Sequence, residues 1–217
     1  MADPTAHEPM RSPAPDASGV RGLVDVMSRL RRECPWDAEQ THHSLVTYLV
    51  EEAAEVVDAI ETGDIADLRE ELGDLLLQVV FHCEIEAQRG GFTLEEVADD
   101  IAAKLVRRHP YVFDGADVPD DLLASWEARK RAEKRRASAL DGIPGALDTL
   151  ARAHKVIGRS RQHGVDPVPL VDDDGVGAQI LALVGRAQDA GIDADQATRQ
   201  ALRALERRIR EQEASRG

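Results

Sequence analysis

The chain combines 217 residues, 3% aromatics and a formal net charge of −14, a size that suits one good core or two small ones. Ala, Leu, Val, Glu and Arg dominate, which favours packed helices over sheets. Three classes are not expected: no apolar run approaches the ~20 residues of a membrane span, Cys34 and Cys83 stand too far apart for a zinc or disulfide framework, and the basic footprint of a nucleic-acid-binding protein does not cover enough of the chain.

Residues 1–19 are rich in Ala, Pro, Asp and Ser without an apolar centre. They read as a disordered lead rather than a signal peptide, so a soluble, cytoplasmic protein is expected. A helix follows from about Val20 to Arg32, with Leu23, Val26, Met27 and Leu30 on one face. Cys34-Pro35-Trp36-Asp37 breaks it. A second helix is expected from near Thr41 to Ile60 and a third from about Ile65 to Gln88, ended by Gly90-Gly91. Thr93 with Glu96 makes a capping box for a fourth helix to about Arg108, which His109-Pro110 stops. An irregular stretch from Tyr111 to Asp120 leads into a basic helix, about Leu122 to Ala137. Asp141-Gly142-Ile143-Pro144-Gly145 is a turn, Leu147 to Gln162 another helix, and Val165 to Gly177 a linker rich in Pro, Asp and Gly. Helices at about Gln179–Ala190 and Ala194–Gln212 finish the chain.

Charge is unevenly placed. Residues 51–100 carry sixteen acids against two bases, and residues 101–161 carry thirteen Lys and Arg against eight acids. An acidic half beside a basic half suits a phosphate-bearing substrate that arrives with a metal. Within the acidic half, Glu52 and Glu55 on the second helix and Glu71 and Asp74 on the third are i,i+3 pairs, each on one side of its helix. The turn Thr62-Gly63-Asp64 can fold the pairs against each other.

The apolar stripe of the second helix is Leu45, Leu49, Val56 and Ile60, and that of the third is Leu68, Leu72, Leu75, Leu76, Val79 and Cys83. Glu52 lies inside the first stripe, Glu55 at its edge, and Glu71 and Asp74 flank the second. An exposed Glu needs no explanation, and Glu61, Asp64 and Glu70 are read as solvated. A carboxylate on a buried face must be paired or bind a cation. Arg69 is the one Lys or Arg between residues 51 and 88, so metal binding is favoured. A di-iron centre calls for two Glu-x-x-His pairs, and the chain offers one, Glu39 to His42. An all-oxygen site favours Mg2+, with Mn2+ as substitute. The chain has no phosphate-binding Gly-Lys-Ser/Thr loop, nucleophile elbow or His-Glu-x-x-His motif, which leaves metal-activated water as the simplest reagent.

The ordered motifs resemble the MazG-type nucleoside triphosphate pyrophosphohydrolases of the all-α NTP pyrophosphatase superfamily. The resemblance runs from about Gly22 to Asp166. It is carried by Cys34-Pro35-Trp36-Asp37-x-x-Gln40-Thr41-His42-x-Ser44-Leu45, Tyr48-Leu49-x-Glu51-Glu52-x-x-Glu55 and Glu70-Glu71-Leu72-Gly73-Asp74-Leu75-Leu76. Lys104-Leu105-x-Arg107-Arg108-His109-Pro110-x-Val112-Phe113, Trp126-Glu127-x-x-Lys130 and Ile143-Pro144 complete it.

The resemblance implies an all-α helical bundle, an obligate homodimer, and Mg2+-dependent hydrolysis of an NTP or dNTP, damaged nucleotides included, to monophosphate and pyrophosphate. It implies metal ligands at Glu52, Glu55, Glu71 and Asp74, with Glu51 beside Glu52 to orient or deprotonate water. It places phosphate ligands at Lys104, Arg107 and Arg108, a nucleotide contact at Trp126 and Lys130, and a base pocket at Trp36, His42 and Tyr48. The role implied is nucleotide-pool sanitation.

Residues 20–137 are then the pyrophosphohydrolase domain. Residues 175–208 lay on 71–108 as a weak internal repeat, with Gly175 to Ala178 in place of Glu71 to Asp74. Residues 138–217 are therefore read as a linker and a degenerate second helical unit. One competing reading is a helical regulatory protein that binds nucleotide or metal without turnover. Another is a phosphoribosyl-ATP pyrophosphohydrolase-like enzyme, which would lack the segment from Cys34 to Leu45.

Overall fold

The computed structural model describes residues 18–122, 125–126, 129–130, 133, 137–167 and 175–216, which form helices joined by turns and irregular segments, with no strand among them. They divide into two compact units between Pro119 and Asp120. None of their helices is long and apolar enough to cross a membrane.

The first unit holds α1 (Gly19–Glu33), α2 (Pro35–Glu39), α3 (Val46–Thr62), α4 (Ile65–Gln88), α5 (Leu94–Arg108) and α6 (Pro110–Phe113). Its core is Met27, Leu45, Val80, Phe81 and Ile85, with Leu23, Val24, Leu77 and Leu94 packed around them. This core ties α1, the turn before α3, the second half of α4 and the start of α5.

Capping chemistry sets the boundaries of α4 and α5. The Asp64 carboxylate accepts from the backbone N–H groups of Ala66 and Asp67, 2.8 and 3.1 Å away, closing the N-terminus of α4. Gly63, at φ 82°, supplies the left-handed residue that ends α3 one step earlier. Thr93 and Glu96 form the expected capping box on α5.

Three local expectations change. α3 starts at Val46 rather than near Thr41, because Thr41 and Ser44 bond each other's backbone N–H through their hydroxyls and hold residues 41–45 as a turn. Beyond Cys34 and His109 the chain makes two short helices, each with Pro in its first turn, where the missing N–H costs nothing. The apolar stripes of α3 and α4 are only partly buried: Leu45, Val56 and Cys83 are inside, but Ile60 and Leu72 are 59% and 49% exposed, and Leu49, Leu76 and Val79 are exposed too.

Arg31 fastens α2 and the residue after it. Its guanidinium donates to the carbonyls of Asp37, Ala38 and Gln40 and to Gln88 Oε1 on α4, and it lies 5.7 Å over the Phe81 ring.

The second unit holds α7 (Thr149–Gln162), α8 (Val176–Asp189) and α9 (Ala194–Ala214). Its core is Ala153, Ile157 and Val184, with Leu150, Leu181 and Ala194 against it. Asp193 caps α9 by accepting from the N–H groups of Asp195 and Gln196. The described residues of the basic segment before α7, Leu122, Ser125, Trp126, Arg129, Lys130 and Glu133, are helical. Most of the N-terminal lead and of the linker before α8 lie outside the described residues, although α1 already begins at Gly19.

Candidate active site

α3 and α4 form the tightest helix pair of the first unit, joined only by Gly63 and Asp64. So short a turn lays the Glu-bearing stretch of α3 against the start of α4. One carboxylate oxygen from each of Glu52, Glu55 and Glu71 lies within 4.8 Å of the others. Glu52 and Glu71 are half-buried and Glu55 is exposed.

Asp74, half-buried, stands outside this trio. Its charge still reaches both Glu52 and Glu71. Glu51 is exposed on α3, directly beside Glu52. Toward the turn, Glu55 and Glu71 line a recess of about 340 Å3 together with Asp58, Asp64 and Asp67. Asp58 and Asp67 were not singled out from the sequence; their spacing, i+3 from Glu55 and i−4 from Glu71, was the available signal.

The electrostatics show the cost of this convergence. The Glu52 carboxyl is held above its ordinary range by desolvation first, then by Asp74, Glu55 and Glu71. Glu71 is raised in the same way, with Glu55, Asp74, Glu70 and Asp67 as its repulsive neighbours. Among the described residues, no Lys or Arg lines the recess. Converging oxygens, mutual repulsion and the lack of a basic lining residue fit a hard divalent cation, with Glu52, Glu55 and Glu71 as its holders and Asp74 next to them.

The basic candidates are on α5, which packs on α4. Lys104 is half-buried and Arg107 exposed, but Arg108 is 7% exposed, inside the chain. Trp36 is exposed and makes edge contacts with Tyr48 at 6.0 Å and Phe81 at 6.5 Å. His42 has both ring nitrogens engaged, Nδ1 with His82 Nδ1 at 2.7 Å and Nε2 with Glu86 Oε1 at 2.6 Å. Sequence reasoning missed His82 and Glu86, a pair one helical turn apart on α4. Trp126 and Lys130 belong to the second unit, where Lys130 lines a cleft with residues of α7.

Residues 40–113 match the MazG nucleotide pyrophosphohydrolase domain. The chain is 38% identical over 225 residues to a nucleoside triphosphate pyrophosphohydrolase of Escherichia coli, covering 88% of this chain and 86% of that one. The chain belongs to the MazG family. An uncharacterised 26.1 kDa protein of Streptomyces cacaoi is 44% identical, covering 90% of this chain and 84% of its own length. A nucleoside triphosphate pyrophosphohydrolase of Mycobacterium tuberculosis is 45% identical over 74% of this chain, which spans only 51% of that relative. The matched MazG domain contains the whole trio of Glu52, Glu55 and Glu71, together with Asp74 and Lys104.

Proposed function

We propose that this chain hydrolyses nucleoside triphosphates, ribo or deoxy, to the monophosphate and pyrophosphate, with Mg2+ as its metal and Mn2+ as substitute. The enzyme class follows from membership of a nucleotide pyrophosphohydrolase family. The observation that carries the rest is the meeting of Glu52, Glu55 and Glu71 inside the matched domain.

Each residue then has a physical task. Glu52, Glu55 and Glu71, assisted by Asp74, hold the metal, which supplies Lewis-acid polarisation of a phosphoryl group. Glu51, exposed and adjacent, orients the attacking water and takes its proton. Lys104 and Arg107 face phosphate oxygens and stabilise the charge of the transition state. Arg108 is buried, so the phosphate role passes to its two neighbours. Trp36 and Tyr48 offer exposed aromatic surface for a base. His42, bonded on both ring nitrogens, positions their segment instead.

We further read the working form as a homodimer. Val46, Val50, Ile60, Leu72, Leu76 and Val79 expose apolar surface on α3 and α4, and a second copy would cover it. Sanitation of the nucleotide pool in the cytoplasm is the matching role.

Product analysis tests this reading. The full chain is incubated with unmodified and oxidised NTPs and dNTPs, with Mg2+ or with EDTA, and the phosphorylated products are separated. Monophosphate plus pyrophosphate, formed only with the metal, is the expected result. Binding without turnover across the panel, with Mn2+ also tried, would replace it with a regulatory role.

A further inference from the structure

The second unit has a concave surface of its own. A cleft of about 270 Å3 is lined by Lys130, His154, Lys155 and Arg159, with Gln188 across from them and no carboxylate among the described residues of the lining. Lys155 and Arg159 are i,i+4 on α7, where like charges repel.

Some arginines elsewhere in this unit are paired with acids, among them Arg199 with Asp195 and Arg210 with Glu206. Arg161 pairs with Asp189 at 2.7 Å and reaches Asp166 at 3.7 Å. Among the described residues, Lys155 and Arg159 have no carboxylate partner. Arg159 is instead anchored to a neutral acceptor, donating through Nη1 to the Asp141 carbonyl at 3.0 Å. Its side chain is therefore held in place while its charge stays uncompensated.

The cleft wall is also fixed. Gln188 Nε2 donates to the His154 carbonyl at 3.0 Å, and this amide lies 2.7 Å from where a Cβ on residue 158 would stand. Gly158 thus lets Gln188 lie against α7. A concave surface that holds Lys155 and Arg159, with no acid among its described residues, suits a multiply charged anion, and phosphate chains are the fitting chemistry.

We propose that this cleft of the second unit binds a diphosphate or triphosphate group without a metal. The group is either free pyrophosphate or the phosphate chain of a nucleotide. The site does not depend on the hydrolytic reading, because none of the carboxylate trio takes part.

Calorimetric titration of the full chain with sodium pyrophosphate in excess EDTA, at fixed ionic strength, reads the site directly. The expected result is saturable binding, one site per chain. Lys155→Glu, an exposed change on α7, should weaken it at least tenfold, as should Arg159→Gln, while Glu71→Gln should leave it unchanged. A parallel titration with a nucleoside triphosphate separates the sources: tighter binding than pyrophosphate assigns the nucleotide, weaker binding assigns free pyrophosphate. Equal heats from sulfate, full binding by Lys155→Glu, or loss in Glu71→Gln would each overturn the proposal. Turnover with Mg2+ should be the same in Lys155→Glu as in the unaltered chain. Pyrophosphate binding in a chain with no turnover would remove the hydrolytic reading and leave this one standing.

Discussion

His42 and His82 stack with ring centroids 5.0 Å apart and planes 7° from parallel, their Nδ1 atoms 2.7 Å from each other. Only one of those two nitrogens can carry the proton between them. Glu86 holds the far nitrogen of His42, and Arg89 reaches the same carboxylate at 3.4 Å.

This pair makes the first unit sensitive to acid. Burial and the neighbouring His42 lower the His82 pKa below its ordinary 6.5, and the His42 hydrogen bond lowers that of Glu86. A depressed native pKa means that the unfolded chain binds more protons. The stabilisation is therefore complete above the ordinary pKa and is lost as pH falls through the native value. Melting temperatures should drop by a few degrees as pH falls from 6.5 toward 5. His82→Asn, which keeps a nitrogen for His42, should flatten that part of the curve. An unchanged slope in the variant would remove His82 as the cause.

Glu71→Gln should separate stability from activity. The substitution removes a carboxylate that its neighbours oppose, so without metal the melting temperature should hold or rise. Loss of a metal ligand should lower turnover by about a hundredfold or more. Thermal scans in EDTA and Mg2+, beside product assays, check both halves. Undiminished turnover would remove Glu71 from the metal site.

Arg31→Ala should loosen the segment around α2. Three backbone carbonyls and Gln88 lose their donor, a change worth about 1–3 kcal/mol when polar groups lose their partners. Chemical denaturation monitored by circular dichroism measures the loss. Arg31→Lys should recover only part of it, since an ammonium cannot span the same fork of acceptors.

Ile60→Arg tests the dimer. Ile60 is 59% exposed on α3 and outside the carboxylate trio. A charge placed in an apolar interface should yield monomers by light scattering and melt at lower temperature, while the same change on a solvated face would leave the molecular mass untouched.

Much of this architecture is legible from the residues, and the exceptions have physical reasons. The bounds of α4, Ile65–Gln88, follow from a Gly-Asp turn before it and a Gly-Gly pair after it. The meeting of Glu52, Glu55 and Glu71 follows from i,i+3 spacing across a two-residue turn. Periodicity marks a face as apolar without saying what covers it, which is why Leu72 and Ile60 are exposed in the single chain. The start of α3 is hidden because Thr41 and Ser44 divert the backbone through side-chain bonds that no periodic pattern records. His42 and Glu86, 44 residues apart, meet only once α4 is folded against the turn.

The carboxylate trio sits away from the core of its unit. Glu71 precedes Val80 by nine residues, roughly 13 Å along the helix axis at 1.5 Å per residue. Chemistry and folding thus occupy different stretches of α4, and the acids oppose one another where they meet. Mutational drift that replaces them with small neutral residues runs downhill in folding free energy. Only selection on activity keeps this stretch of the two helices acidic.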